Sequence, residues 1–175
     1  MQANGIHTKE ELNKSMVDWL SHVLLAWIIC QILSVKFKFF GGRNTAIVMV
    51  GALIPDIIKV GLLFRWIDID IWDFIVPLHT PIGAVISAAV IALFFEEQMN
   101  AFKLLVFGMA THFLFDLPLA HVSGGMLMLF PFHWGRYQVY IIPTDDCIVP
   151  ILASVVAIVI YIVKSRVTAK TSVDS

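Results

Sequence analysis

Apolar runs separated by short polar turns organise this chain. Residues 17–35, VDWLSHVLLAWIICQILSV, form a first run close to the roughly 20 residues a helix needs to cross a bilayer. KFKFFGGR follows, with Gly41 and Gly42 marking a turn. Residues 44–64, NTAIVMVGALIPDIIKVGLLF, form a second run. Pro55 lacks the amide donor a helix interior requires, so it predicts a kink or an end there, with Asp56 just beyond the break. RWIDIDIWDFIVPLHTP alternates isoleucine and aspartate over a few residues, and its tryptophans favour the headgroup level; this predicts an interfacial segment. Residues 81–95 make a third run, opened by Pro81 at the first helical turn. Its Gly83, Ala84, Ser87 and Ala88 suit close helix packing. Residues 101–119 and 147–163 complete a set of about five spans. Between these two, the apolar stretch inside HVSGGMLMLFPFHWGRY is too short to cross and is assigned to the interface.

The expected fold class is therefore all-α: a multi-span integral membrane helix bundle with interfacial segments. Its expected parts are a polar N-terminal segment (residues 1–16), an embedded domain (17–164) and a polar tail (165–175). Composition strengthens this reading. The chain is 59% hydrophobic and 14% charged, with a mean hydropathy of +0.85, whereas a soluble domain is nearer half apolar and a quarter charged. A net charge of −1 without a basic stripe gives no sign of nucleic-acid binding. MQANGIHTKEELNKSM lacks the basic start, apolar stretch and cleavage site of a signal peptide. Cys30 and Cys147 have no metal-ligand spacing and suggest no disulfide framework.

Lys164, Arg166 and Lys170 follow the last run with no acid before Asp174. Basic loops favour the cytoplasmic side, so the tail is placed inside. Counting back through five spans puts the N-terminus outside in a multi-pass protein of the cell membrane. His22, Asp56, His79, His112 and Asp116 then fall within roughly 10 Å of one interface, at 1.5 Å of rise per residue. Reversing the topology moves this group to the other face but keeps it together.

Ionisable groups in lipid are expensive and mark function by default. His112 and Asp116, four apart, project from one helix face; Asp56, His22 and His79 would approach from other helices. Three imidazoles and two carboxylates at one depth suit a divalent cation, Zn²⁺ foremost with Mn²⁺ or Fe²⁺ as alternatives. Such a cation activates water for attack on a phosphorus or carbonyl centre. At headgroup level the partners are membrane lipids, and the expected substrate is a lipid or another amphiphilic phosphoester. A ligand carboxylate or His133 is the candidate proton shuttle. The bland readings are a helix-bridging hydrogen bond for each histidine, a cap or a Lys59 pair for Asp56, and a helix-end role for Asp116. His121 and His133 fit solvated loops, Thr144, Asp145 and Asp146 a helix cap, and Asp68, Asp70 and Asp73 a solvated face. Arg136 fits an interfacial anchor, and Gly124-Gly125 a flexible turn. No HExxH, GxSxG or glycine-rich nucleotide loop is present.

The blocks SHVLLAW, GALIPD, PLHTPIG, GMATHFLFDL and GGMLMLFPF, in this order between about residues 21 and 134, resemble the LexA-regulated, inner-membrane-associated metal-dependent hydrolases. Block by block, the resemblance implicates His22, Asp56, His79, His112 and Asp116, and implies a metal-dependent hydrolase. One departure stands out: the family's middle block often reads HRGxTH, and here only His79-Thr80 remains. Two other classes fit the composition. A metal-ion or small-solute transporter would use the same side chains as a transient ion site, although the inner halves of the helices hold almost no ionisable group. A non-catalytic membrane adaptor would use them only to hold helices together.

Overall fold

The computed structural model describes residues 3–60, 76–118, 126–137, 139, 141 and 148–173. Among these residues the chain is all-helical: five helices and no strand, with a single antiparallel bridge between Met126 and Tyr137. The helices are α1 (Ala3–Lys36), α2 (Gly42–Leu53), α3 (Pro81–Ala92), α4 (Gln98–Asp116) and α5 (Ile148–Val173). Two 3₁₀ turns, Pro55–Val60 and Val76–His79, follow α2 and precede α3. Asp68, Asp70, Asp73, His121, Gly124, Gly125, Thr144, Asp145, Asp146 and Cys147 lie outside the described residues, as does the side chain of Lys59.

The punctuation acts as its chemistry dictates. Gly42 opens α2 at φ +39°, a left-handed backbone that costs glycine little. Pro55 stops the regular helix, and the chain continues as a 3₁₀ turn. Pro81 starts α3 behind Thr80, whose hydroxyl accepts from the Gly83 amide. Elsewhere the helices run further than the apolar segments. Residues 3–36 contain no proline, and α1 is continuous across the boundary at residue 16. Residues 151–173 hold neither glycine nor proline, and α5 continues through the polar tail to Val173.

The apolar helices divide into two kinds. Trp19–Lys36 and Ile148–Val167 are long and apolar enough to cross a membrane. Only 28% of the first window and 17% of the second are buried. Helices α2 and α3 have 12 residues each and rise only about 18 Å, well short of a hydrocarbon core of about 30 Å. Proline and the turn at Leu93 end them early. Helix α4 has the length, but Gln98, Asn100, Lys103, His112 and Asp116 dilute its apolar character.

The core forms where α2 packs on α4, with α1 and α3 against them. Val48, Gly51 and Ala52 face Leu104, Leu105, Gly108 and Met109. The helices cross at two glycines. A methyl on Gly108 would run into the Val48 carbonyl and the Ala52 amide, and one on Gly51 into the Leu105 backbone. Backbone contact of this kind needs small residues and is the usual way to bring helices together in an apolar setting. On α3, Ala84, Ala88 and Ala92 form the buried stripe, continuing the small-residue run predicted there.

Candidate metal centre

The buried stripe of α4 passes through Ala101, Leu105, Gly108, His112 and Asp116. It is apolar for three turns and then becomes polar. The stripe of α1 passes through His22, Ala26 and Cys30, and its polar member His22 meets Asp116 at the same end. Asp56 is carried inward by the 3₁₀ turn behind Pro55 and is 1% exposed. His79 arrives on the turn ahead of α3, which Thr80 anchors by donating to the Pro77 carbonyl at 2.6 Å while accepting from the Gly83 amide at 3.1 Å.

The structure brings all five residues together. His112 Nε2 lies 3.1 Å from Asp116 Oδ2, 3.5 Å from His79 Nε2 and 3.7 Å from Asp56 Oδ1. His79 Nε2 lies 3.3 Å from Asp116 Oδ2 and 4.0 Å from Asp56 Oδ1. His22 Nε2 lies 3.0 Å from the other Asp116 oxygen, Oδ1. In two overlapping groups, His22–His112–Asp116 and Asp56–His79–His112, the ligand atoms lie within 4.8 Å of one another. Four of the five residues are at most 4% exposed. The His79 side chain, at 18%, is the one facing a way in.

The tautomer of His112 decides what this arrangement can do. Its Nδ1 is 2.8 Å from the Ala52 carbonyl oxygen, which can only accept, so Nδ1 carries the proton. In the neutral ring Nε2 then presents a lone pair towards two carboxylates and a second imidazole. Lone pair facing carboxylate is repulsive unless a cation or an extra proton lies between them. A backbone carbonyl holding the outer nitrogen of a histidine is the usual support of a metal-ligating imidazole. Tetrahedral coordination with bonds of 2.0–2.1 Å places neighbouring ligand atoms about 3.3–3.4 Å apart. The triangle of His79 Nε2, His112 Nε2 and Asp116 Oδ2 has edges of 3.1, 3.3 and 3.5 Å. The donor set and its spacing therefore fit a small divalent cation.

His22 is held differently. Its ring stacks on His112, with centroids 3.9 Å apart and planes inclined by 29°. Its Nδ1 is buried and has no hydrogen-bond partner among the described residues. Phe113 closes the apolar side, meeting the rings of His79 and His112 edge-on at 5.8 and 5.7 Å.

His133 is not brought to this cluster. It is exposed, its Nδ1 accepts from the Gly135 amide at 2.8 Å, and its ring faces Tyr137. The loop turns the imidazole onto its own backbone, which removes the geometric basis for a proton-shuttle role there. Arg136 in the same loop is exposed. Sequence reasoning missed Gly51, Gly108 and the Ala52 carbonyl. The available signal was a glycine one helical turn before His112, since a glycine inside an apolar helix commonly marks close backbone approach.

Set against family models, curated proteins and solved structures, the chain matches none.

Proposed function

We propose that this protein is a multi-span membrane hydrolase that uses a divalent metal, foremost Zn²⁺, to cleave a lipid or amphiphilic phosphoester at the membrane face. One observation carries the reading: Asp56, His79 and Asp116, from three separate elements, converge on His112 Nε2, whose proton the Ala52 carbonyl holds on the opposite nitrogen. The block resemblance to the LexA-regulated inner-membrane metal-dependent hydrolases points the same way, through the same five residues. Membrane embedding is supported by the two long apolar helices and by exposed apolar side chains such as Ile82, Val85, Ile86, Val90, Ile151 and Val155. In this reading the short α2 and α3 cross with the help of the turns attached to them, the N-terminus is outside and the C-terminus cytoplasmic.

A bound divalent cation would supply Lewis-acid polarisation of the scissile group and a water acidic enough to act near neutral pH. The chain's own groups do the rest. His79, His112, Asp116 and Asp56 fix the position of the charge. Ala52 and Thr80 orient two of those ligands. Phe113 and the α2–α4 contact shield the buried cluster from bulk water, which strengthens every electrostatic interaction inside. Substrate would enter past His79, the most exposed of the five. The carboxylates of Asp56 and Asp116 are the nearest groups able to receive a proton.

The test uses the detergent-purified full chain, with metal content measured by elemental analysis and phosphate or acyl release followed from mixed phospholipid vesicles. Stoichiometric metal, and hydrolysis abolished by a chelator and restored by Zn²⁺ or Mn²⁺, is the expected result. Absence of metal under every loading condition would leave only the adaptor reading. Orientation is read separately. In a chain with Cys30 and Cys147 replaced by alanine, Leu78→Cys should react with an impermeant thiol reagent from outside, and labelling only after lysis reverses the topology.

A further inference from the structure

We infer that the centre holds two divalent cations rather than one, with the Asp116 carboxylate bridging them. The inference rests on the metal-centre reading above and adds the number of ions and their separate ligands. Its basis is the pairing of His22 with His112. An imidazole binds a cation in the plane of its ring, about 2.0–2.1 Å beyond the nitrogen. The two rings lie face to face, 3.9 Å apart and inclined by 29°. Planes related in this way meet roughly 7 to 8 Å from the ring centres, more than twice the distance at which an in-plane ion sits. One cation cannot lie on the in-plane lone pair of both rings. Two nearly parallel rings address two points separated by about their own stacking distance, and paired catalytic cations are about 3.5–4 Å apart.

The carboxylate opposite them divides in the same way. Asp116 Oδ1 faces His22 Nε2 at 3.0 Å, while Oδ2 faces His112 Nε2 at 3.1 Å and His79 Nε2 at 3.3 Å. Each oxygen serves a different imidazole set. The first cation is assigned to His79, His112, Asp116 Oδ2 and Asp56. The second is assigned to His22 and Asp116 Oδ1, with its remaining positions left for water or substrate oxygens. The supports differ too. His112 is locked by the Ala52 carbonyl, whereas the outer nitrogen of His22 has no partner among the described residues. The second cation is therefore the more weakly held, and the one a phosphoester oxygen would complete.

The experiment loads the metal-stripped full chain with Mn²⁺ alone, counts bound ions at saturation and records the electron paramagnetic resonance spectrum; Zn²⁺ loading with elemental analysis provides a second count. Two ions per chain bound in two steps, with the multiline signal of an exchange-coupled pair, is the expected result. His22→Ala should bind one ion and give the six-line signal of isolated Mn²⁺. Saturation at one ion in the unaltered chain overturns the inference and leaves the single-ion hydrolase reading intact. Two uncoupled ions, or two retained by His22→Ala, also overturn it. No ion at all overturns both readings together. Should His22→Ala fail to fold, the count and spectrum of the unaltered chain decide alone.

Discussion

The two ends of the helix bundle carry polar groups in opposite ways. At one end His22, Asp56, His112 and Asp116 are buried and aimed at one another. At the other end, where the α1–α2 and α3–α4 turns meet, Arg43, Asn44, Glu97 and Asn100 line an open cavity of about 300 Å³ beside Phe39 and Phe95. There the side chains settle locally: Asn44 donates to the Phe39 carbonyl and Asn100 to Glu97. Further along the same half, Lys164 on α5 donates to Gln31 and Ser34 on α1 at 2.8 and 2.7 Å, in an exposed setting. Exposed polar contacts are individually worth little, because water competes for both partners. Buried ones are expensive to leave unmatched. A chain that buries two carboxylates against three imidazoles does so at a cost the opposite end avoids, and a cation held among them would offset that cost. The asymmetry singles out this cluster as the candidate site.

The contrast is broken most severely by His112→Ala combined with Asp116→Ala. Bound metal should fall from stoichiometric to background, while Arg43→Ala with Glu97→Ala at the far end leaves metal content unchanged. Elemental analysis of the purified variants reads both, and equal metal in all of them removes the site. Next in size is Gly108→Ala. Its methyl meets the α2 backbone at Val48 and Ala52, and overpacking of this kind costs about 1–3 kcal/mol. Because the shift moves the carbonyl that orients His112, metal affinity should drop by about 10–100-fold, as for other supporting partners of metal ligands. Thermal unfolding and metal titration on the same sample separate the two effects; a stability loss with unchanged affinity would show that Ala52 does not act through His112.

Thr80→Val should have a smaller effect. It removes the hydroxyl that holds the Val76–His79 turn to α3, a cap worth about 1 kcal/mol. The expected signature is weaker metal binding with little change in helix content by circular dichroism. Lys164→Ala should do least: below about 1 kcal/mol in unfolding, with metal binding untouched. A larger loss there would mean that the α1–α5 contact at the far half supports the centre.

Much of this architecture was legible along the chain. Gly42, Pro55 and Pro81 act through backbone rules that hold wherever they occur, so the turn after α1, the break before Asp56 and the start of α3 could be read directly. The extent of the spans was less legible. Hydropathy continues through residues 54–64, but the regular helix of α2 stops at Leu53, and polar segments that appeared to end α1 and α5 are helical because nothing in them forbids it.

The candidate site shows the same division. Residue type and depth alone singled out His22, Asp56, His79, His112 and Asp116, since an ionisable group in an apolar run is costly wherever the run folds. His133 had the same residue type but sits in a loop, where solvation removes that cost, and its ring turns onto Gly135 and Tyr137. The sequence by itself determined which side chains are anomalous and at which end of their apolar runs they lie, because helical rise converts position along a run into distance. Only the tertiary structure decided how they meet. The crossing of α2 and α4 at two glycines, the Ala52 carbonyl that sets the His112 tautomer, and the stacking of His22 on His112 depend on distances between segments far apart in the chain. No local propensity encodes those distances; they follow from which surfaces pack.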